Sequence, residues 1–324
     1  MKAVLCKAYG PPESLVVEDV SAPTSGQGQV VIQVAASGVN FPDTLIIEGK
    51  YQFKPPLPFS PGSEVAGTVA ALGKGVSGVR VGDRVMAVPG WGGFAEEVAV
   101  DAEQLVPIPD SMDFPTAAAF ALTYGTAHYA LTDRGRLQPG QTLLVLGAAG
   151  GVGLAAVEVG AALGARVIAA ASSDEKLALC RAHGASEGIN YSAEDLRERI
   201  RALTGGEGVD VVLDPVGGSY AEPAIRGLAW DGRYLVIGFT AGEIPRIPLN
   251  LPLLKSSSII GVFWGAFTAR DPRRSREYLQ ELLRWFEAGK IRPYVSATYP
   301  FERAADALNA LLARRATGKL VLVP

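Results

Sequence analysis

The chain has 324 residues, 48% of them hydrophobic, and a formal net charge of −3. This length exceeds that of most single hydrophobic cores, so two domains are expected. The weakly acidic balance argues against nucleic acid or an anionic membrane as a partner. Two cysteines, Cys6 and Cys180, exclude a disulfide framework and a four-cysteine zinc site. Without a signal-peptide pattern or an apolar run of about 18 residues, the expected location is the cytoplasm.

The first 120 or so residues contain short β-type runs that are separated by glycine and proline. These runs lie at 2–6, 15–19, 29–36, 64–72, 84–89 and 95–100. Because long helical periodicity is absent, the pattern predicts a compact β-barrel-like domain. The first convincing helical stretch is 114–134, with Pro115 suited to a first helical turn.

The stretch 141–190 is the most informative part of the chain. An apolar run at 142–146 is followed by a glycine-rich turn, a helical segment at 154–163 and a second apolar run at 166–170. This strand, turn, helix and strand order is the context in which a glycine motif indicates a dinucleotide site. The alternative is a βα turn of a parallel sheet that binds nothing.

Each glycine of the turn has a separable physical role. Gly150 lies where the backbone must approach a pyrophosphate, and Gly153 lies where the helix must press on the sheet. The phosphates would then meet the N-terminus of a helix that begins near Gly151. Ala148 replaces the first glycine of the usual G-x-G-x-x-G pattern.

Strand and helix patterns alternate through the rest of the chain. Helical patterns at 193–203 and 220–228 alternate with strand patterns at 209–214, 232–238 and 257–264. This alternation predicts a doubly wound parallel Rossmann sheet. Two amphipathic helices, at 273–288 and 301–314, precede a closing strand at 319–323, which we expect to return to the N-terminal β domain.

The residues after the second Rossmann strand favour NADPH. NAD-binding members of this fold place an acid at that position, to bond the ribose 2′-hydroxyl. Here the strand ends at Ala171, and Ser172, Ser173 and Lys176 follow. Hydroxyl groups with a cation suit a 2′-phosphate. The nearby acids Asp174 and Glu175 leave use of both dinucleotides open.

The chain resembles the zinc-free branch of the medium-chain dehydrogenase/reductase superfamily, the zeta-crystallin-like NADPH:quinone oxidoreductases. The motifs that carry the resemblance are GVNFPD at 38–43, PGSEVAG at 61–67, VGDRV at 81–85, LTYGTA at 122–127, AAGGVG at 148–153 and GKLV at 318–321. The resemblance implies a chaperonin-10-like catalytic domain, formed by 1–122 and 266–324, and an NADP-binding Rossmann domain at 123–265.

The resemblance also implies that no metal is used. Zinc-dependent members have Cys where this chain has Asn40 and His where it has Ser63. The two histidines, His128 and His183, match neither position and are expected to be surface or core residues. Without a Lewis acid to polarise an alcohol, reduction of an electrophilic acceptor is expected.

By resemblance, Asn40, Asp43, Tyr51 and Thr126 form the catalytic set. Asn40 and Asp43 would lie beside the nicotinamide ribose and the acceptor, and Thr126 near the nicotinamide ring. Tyr51 could hydrogen-bond the acceptor or donate a proton to it. The alternatives are a turn or helix cap for Asn40 and Asp43, and ordinary packing for Tyr51. Relatives often have a second Tyr in this loop, where this chain has Leu45, so acid catalysis stays open.

The cofactor contacts also follow from the resemblance. Besides Asn40 and Thr126, they comprise Ala149, Gly150, Gly151, Val152 and Gly153 at the pyrophosphate, Ser172, Ser173, Lys176 and Tyr191 at the adenosine phosphate, Gly238, Phe239, Phe263, Trp264 and Gly265 along the nicotinamide half, and Arg315 or Lys319 from the C-terminus. The alternative for Phe263 and Trp264 is edge-strand packing.

A homodimer through the apolar edge strand at 257–264 is expected, because an exposed apolar edge invites pairing. The expected substrate is a small-molecule quinone. An activated alkene, such as an enone, enal or enoyl thioester, is the alternative, since the cofactor residues are the same. A non-catalytic, NADPH-binding crystallin-like or RNA-associating role is more distant.

Overall fold

The computed structural model describes residues 1–324 and divides into two compact units. The first consists of Met1–Leu122 and Pro293–Pro324, and the second of Thr123–Arg292. The sequence predicts that the chain re-enters the first unit at residue 266, whereas in the structure residues 266–292 belong to the second unit. The reason is a helix, Pro272–Glu287, that packs within the second unit: the ring of its Tyr278 lies 4.6 Å from that of His128.

The first unit is mainly antiparallel β structure. Its strands are Lys2–Leu5 (β1), Val16–Asp19 (β2), Gln29–Val39 (β3), Glu64–Leu72 (β4), Arg84–Ala87 (β5), Glu97–Asp101 (β6), Val106–Pro107 (β7), and, after the second unit, β14 and β15 at Val295–Pro300 and Lys319–Val323. Its helices are Phe41–Ile47 (α1), Phe114–Ala118 (α2) and, near the C-terminus, Ala304–Leu312 (α11); the helix Ala121–Tyr129 (α3) leads into the second unit.

The long strand β3 organises the sheet of the first unit. It pairs with β4, β6 and β15, always antiparallel. The order β14-β15-β3-β4-β5-β7 is an open path rather than a closed barrel, and β1 pairs only with β2 as a strand. Val30, Ile32 and Val34 of β3 are buried, and so are Val31 and residues 36–39, so burial is not confined to one face of this strand.

The C-terminal strand completes the first unit, which confirms that prediction. Leu320 of β15 pairs with Val39 of β3. Lys319, the first residue of β15, is thereby placed at the end of β3, beside Asn40.

The second unit is a doubly wound parallel sheet, as predicted. Its strands are Thr142–Leu146 (β8), Arg166–Ala171 (β9), Glu187–Asn190 (β10), Val209–Asp214 (β11), Leu228–Val236 (β12) and Ser258–Gly261 (β13). Its helices are Gly151–Ala162 (α4), Asp174–Ala182 (α5), Leu196–Leu203 (α6), Ala221–Arg226 (α7), Asn250–Leu254 (α8), Trp264–Arg270 (α9) and Pro272–Glu287 (α10), and a π-helical segment, Ala130–Arg134, extends α3.

The strand order of this sheet is β10-β9-β8-β11-β12-β13, with every pair parallel. The direction of winding reverses between β8 and β11, and ligands of such sheets bind outside the carboxyl ends of the strands at this reversal. The edge strand β13 is shorter than predicted, because α9 begins at Trp264. No helix has the length and apolar character needed to span a membrane.

Candidate functional site

The glycine turn, residues 147–150, connects β8 to α4. Gly147 has a φ of +57°, a left-handed conformation that favours glycine. A Cβ at Gly147 would also lie 2.7 Å from Cγ2 of Val216. The tight turn therefore uses Gly147, one residue before the position occupied by Ala148. This explains why alanine is tolerated at the first glycine position of the motif.

Gly150 and Gly153 differ in what surrounds them. A Cβ at Gly153 would lie 2.2 Å from the carbonyl oxygen of Gly147, so close packing of helix on turn requires this glycine. A Cβ at Gly150 would come no nearer than 3.4 Å to any other group, and the φ of Gly150 is −80°. Neither packing nor backbone conformation requires glycine at Gly150. A ligand approaching the backbone would require it.

The N-terminus of α4 is suited to an anion. Gly150 is the N-cap, and α4 begins at Gly151. The first N–H groups of an α-helix have no acceptor within the helix, and the helix dipole favours negative charge there. Gly151, Val152 and Gly153 supply these groups.

The carboxyl ends of β9 and β10 bring the four residues predicted for the adenosine phosphate together. Lys176 Nζ donates to Ser172 Oγ at 3.0 Å, and Ser173 Oγ accepts from the Lys176 N–H at 3.3 Å as the N-cap of α5. The Tyr191 N–H donates to the Ala171 carbonyl oxygen at 3.1 Å. A hydroxyl group and a cation thus lie side by side where NAD-binding members have an acid.

One of the two nearby acids is already engaged. Asp174 Oδ1 accepts a hydrogen bond from Asn190 Nδ2 at 3.0 Å. Its carboxylate is thereby turned toward β10.

A buried carboxylate at the end of β11, Asp214, was not predicted from the sequence. Its Oδ1 accepts from the N–H groups of Val216 and Gly217, at 2.6 and 2.9 Å, and its Oδ2 accepts from the Tyr234 hydroxyl. Burial raises the pKa of Asp214, although these hydrogen bonds oppose the shift. An aspartate at a strand end, directly before Pro-Val-Gly-Gly, was the signal that could have identified it.

Gly238 and Phe239 follow β12 beside this carboxylate. The Ile237 N–H donates to the Asp214 carbonyl oxygen at 2.9 Å. A Cβ at Gly217 would lie 2.8 Å from Cδ1 of Phe239. These two predicted site residues therefore lie at the same edge as the glycine turn.

The remaining predicted residues of the second unit have different environments. Phe263 is 52% exposed, whereas Trp264 is buried. A Cβ at Gly125 would lie 2.7 Å from the Trp264 ring, so Trp264 packs α9 on α3, and Gly265 follows it in α9. Packing therefore accounts for Trp264. Thr126 is buried in α3.

In the first unit, Asp43 holds two backbone segments. Its carboxylate accepts from the Asn40 N–H at 2.7 Å and from the Ser63 N–H at 3.1 Å. Asp43 therefore caps α1 and ties it to the loop before β4. Burial raises the pKa of Asp43 to about 7, against the opposing effects of these hydrogen bonds and of the Lys319 charge.

Lys319 lies inside the same cluster. Its Nζ donates to Asn40 Oδ1 at 2.7 Å, to the Val39 carbonyl oxygen at 3.1 Å and to Glu64 Oε2 at 3.3 Å. All three ammonium hydrogens therefore have acceptors within the first unit. This arrangement differs from the predicted reach of Lys319 to the cofactor. Arg315, the alternative, is exposed after α11.

Glu64 and Asn40 complete this buried polar cluster, which we define as Asn40, Asp43, Glu64 and Lys319. Glu64 is fully buried, and its Oε1 accepts from the Leu122 N–H at 2.8 Å. Asn40 Nδ2 lies 3.2 Å from Glu64 Oε2 and 3.4 Å from Ser63 Oγ. No role was predicted for Glu64, although it lies in the PGSEVAG motif, because an acid at the start of a strand has no distinguishing pattern.

These contacts do not fit a zinc ion. The two positions that would carry Cys and His ligands carry an amide and a hydroxyl that contact each other, and an amide N–H is no metal ligand. No group of three or more His, Cys, Asp or Glu residues is arranged to hold a metal ion.

Tyr51 lies near the cluster and is half-buried. Its ring meets that of Phe53 edge to face, with centroids 5.1 Å apart. Burial raises the pKa of Tyr51, and the charge of Asp43 raises it further. Tyr51 therefore keeps its O–H at neutral pH and can donate a hydrogen bond.

Two family descriptions match the chain. Residues 26–110 match the alcohol dehydrogenase GroES-like domain, and residues 151–288 match the zinc-binding dehydrogenase family. The matched segments lie in the first and second unit, respectively.

Individual proteins are similar over the whole length. The quinone oxidoreductase-like protein 2 homolog of Nematostella vectensis is 42% identical, with 99% of this chain and 88% of that protein covered. The quinone oxidoreductase structure of Pseudomonas syringae is 34% identical, with a TM-score of 0.93 over 100% of this chain and 99% of that one. The Escherichia coli quinone oxidoreductase, solved with NADPH, is 30% identical, with a TM-score of 0.91 over 100% of both chains.

Proposed function

The chain belongs to the medium-chain dehydrogenase/reductase family, in its quinone oxidoreductase branch, and from this membership we propose that it transfers hydride from NADPH to a quinone. The observation that carries the choice of cofactor is the pair formed by Lys176 and Ser172 where an acid would bind NAD. The Escherichia coli relative, solved with NADPH, supports it.

The second unit has the features needed to hold this cofactor. We assign the pyrophosphate to the N–H groups of 151–153 at the start of α4, since Gly150 leaves the backbone before them open to a ligand. We assign the 2′-phosphate to Ser172, Ser173 and Lys176, with Tyr191 beside them. NADPH, when bound, supplies the hydride, and the protein supplies placement and a polar environment.

On the acceptor side, Tyr51 is the proposed hydrogen-bond donor. Its raised pKa keeps the phenol protonated while negative charge builds on the acceptor oxygen. We propose, from the family resemblance, that Asn40, Asp43 and Thr126 serve the same reaction. Asn40 and Asp43 belong to the buried polar cluster, so we assign them the task of fixing the local backbone.

A quinone fits this chemistry because it is electrophilic without a metal. The site lacks a zinc donor set, so no Lewis acid polarises the acceptor. Hydride addition to a quinone gives a stabilised anion. One hydrogen bond can stabilise this anion further, and solvent can protonate it.

We also propose that two copies associate along β13. Large apolar side chains are exposed around this edge, including Leu249 at 79%, Leu253 at 76% and Trp230 at 68%. Ile259 of β13 is exposed as well. A second copy would cover this face, and unpaired apolar edges otherwise promote aggregation. Sedimentation equilibrium should give the mass of a dimer for the unmodified protein and that of a monomer for Ile259→Lys. An unchanged mass in Ile259→Lys would show that β13 is not the interface.

The activity is tested by oxidation of NADPH and NADH, in the presence of EDTA, with four acceptors: an ortho-quinone, a para-quinone, an enone and crotonyl-CoA. We expect NADPH to be oxidised with the quinones and EDTA to have no effect. Activity only with the enone or the thioester would make the protein an alkene reductase. Loss of activity with EDTA would contradict the metal-free assignment.

Tyr51→Phe separates the two roles of the phenol. If Tyr51 donates a proton, kcat should fall by about tenfold or more. If it only positions the acceptor, KM should rise with little change in kcat. Phe53→Leu is the matched control, because it alters the ring that packs on Tyr51 without removing a hydroxyl.

A further inference from the structure

Asp214 and Tyr234 form a buried pair that the proposed reaction does not use. Asp214 is 2% exposed and is the last residue of β11, and Tyr234 is 2% exposed within β12. One carboxylate accepts three hydrogen bonds, two from the backbone of Val216 and Gly217 and one from the Tyr234 hydroxyl. Its position at the carboxyl end of the sheet suggests a role in shaping the loops there.

The two N–H donors belong to the β11 loop, residues 215–218. Gly217 and Gly218 have φ values of +67° and +59°, so the loop departs sharply from strand geometry. Hydrogen bonds to Asp214 hold its first turn, because a side-chain oxygen at a strand end can replace a backbone acceptor. The conformation of the β11 loop therefore depends on this carboxylate.

The β11 loop contacts the loops on both sides. The β12 loop, residues 237–241, donates to it: the Thr240 N–H to the Pro215 carbonyl oxygen at 3.1 Å, and the Ala241 N–H to the Val216 carbonyl oxygen at 2.9 Å. On the other side, the Val216 side chain abuts Gly147, where a Cβ would approach to 2.7 Å. The β11 loop thus lies between the glycine turn and the β12 loop.

We propose that the Asp214–Tyr234 pair is a positioning device that sets the β11 loop, and through it the glycine turn and the β12 loop, for the nicotinamide half of NADPH. This inference rests on the proposed function. Asp214 and Tyr234 touch neither cofactor nor substrate in this role. They act through the backbone of three turns at the carboxyl edge of the sheet.

The second unit contains another buried pair of a carboxylate and a tyrosine, formed by Glu158 and Tyr124, which can be compared with Asp214 and Tyr234. Glu158 is 4% exposed, and its Oε2 accepts from the Tyr124 hydroxyl at 2.5 Å and from the Arg292 N–H at 2.9 Å. Its Oε1 lies 2.5 Å from His183 Nδ1. Glu158 lies about two turns into α4, so this pair contacts none of the three turns. It therefore serves as an internal control for the loss of a buried tyrosine hydroxyl.

The experiment compares Tyr234→Phe with Tyr124→Phe. Isothermal titration measures the Kd of each variant for NADPH and for adenosine 2′,5′-bisphosphate, which lacks the nicotinamide half, and calorimetry measures Tm. For Tyr234→Phe we expect about tenfold weaker NADPH binding, the equivalent of one buried hydrogen bond. Binding of the bisphosphate should change less than about twofold, because Ser172 follows β9 and Lys176 lies in the first turn of α5, away from the β11 loop. Tyr124→Phe should lower Tm and leave both Kd values unchanged.

Two results would overturn the inference. One is an equal loss of affinity for both ligands, and the other is identical behaviour of the two variants. If Tyr234→Phe does not fold, Asp214→Asn replaces it, since the amide oxygen can still accept from the β11 loop while the charge-assisted hydrogen bond from the Tyr234 hydroxyl is lost. The same selective weakening is then expected, and its absence counts against the inference. Failure of the unmodified protein to bind NADPH would instead contradict the proposed function.

Discussion

The buried polar cluster and the glycine turn show two ways of building a site. In the first unit, the site consists of the ionisable side chains of Asp43, Glu64 and Lys319 and the amide of Asn40, enclosed almost entirely by protein. In the second, the glycine turn leads into the first residues of α4, which offer backbone N–H groups and no charged side chain. The first arrangement depends on charge balance, whereas the second depends on the absence of a Cβ.

This difference decides which substitutions each region tolerates. A buried charge whose partner is removed is strongly destabilising, because desolvation is no longer offset. A site made of backbone groups has no side-chain charge that a substitution could leave unpaired. A larger side chain, however, would collide with the main chain, which cannot easily move away. Four predictions test the contrast, from the largest expected effect to the smallest.

Lys319→Met should destabilise the protein by about 3–5 kcal/mol, since it leaves Glu64 buried without its cation. Urea unfolding measures this free energy. Lys319→Met combined with Glu64→Gln should recover part of the loss, because both charges are then removed. Lys7→Met, which breaks the exposed pair with Glu18, is the control and should cost less than about 1 kcal/mol. A similar cost for Lys7→Met and Lys319→Met would show that the cluster is not dependent on charge.

Asp43 should make stability fall as the pH rises from about 4 to about 7. Burial raises its pKa from 3.8 to about 7. In that window the folded protein keeps a proton that the unfolded chain releases, so rising pH favours the unfolded chain. Above pH 7 both states are ionised, and the contribution of Asp43 is constant.

The measurement compares urea unfolding of the unmodified protein and Asp43→Asn between pH 4 and pH 7. The unmodified protein should lose on the order of 3 kcal/mol of stability over this range, and Asp43→Asn should lack this decline. Asp110→Asn, at an exposed position, should keep the slope of the unmodified protein. Parallel slopes for all three proteins would contradict the prediction.

Gly153→Ala and Gly150→Ala should separate folding from binding. Gly153→Ala forces a Cβ to within 2.2 Å of a backbone oxygen, and overpacking of this kind costs about 1–3 kcal/mol or more. Gly150→Ala meets nothing nearer than 3.4 Å. Its Tm should therefore stay close to that of the unmodified protein, while NADPH binding weakens about tenfold, or about 1.4 kcal/mol.

The pair is measured by calorimetry and isothermal titration on the same samples. Undiminished NADPH affinity in Gly150→Ala would show that no phosphate approaches the turn. A stable Gly153→Ala protein would show that helix α4 can shift away from the turn.

Lys176→Met is expected to have the smallest effect. It should raise the Kd for NADPH by about fivefold to tenfold and leave the Kd for NADH unchanged, since only NADPH carries the 2′-phosphate. Fluorescence titration with both dinucleotides measures the ratio. Equal changes for both would assign Lys176 a role in helix α5 rather than in cofactor selection.

Much of the fold followed from local sequence. The apolar runs of β8, β9 and β11 are fully buried strands of a parallel sheet, so hydrophobic length and turn residues sufficed to predict them. The edge strand β13 was predicted too long, because the apolar residues Phe263 and Trp264 fit a strand as well as the start of a helix. The return to the first unit was placed too early for a related reason: an amphipathic helix does not reveal which core it covers.

The sequence by itself determined that the chain has a dinucleotide fold, because glycine and strand patterns reflect local backbone geometry. It also determined the absence of a zinc donor set, because Asn40 and Ser63 lack the required ligand atoms. Only the tertiary structure decided the roles of Lys319, Glu64 and Asp214, because each has a partner far away in the sequence: Glu64 for Lys319, Leu122 for Glu64 and Tyr234 for Asp214. The charged groups of these residues are stabilised by contacts with residues distant in the sequence; the Lys319 ammonium, for example, donates to the Val39 carbonyl oxygen. Such long-range pairing leaves no periodic pattern in the chain.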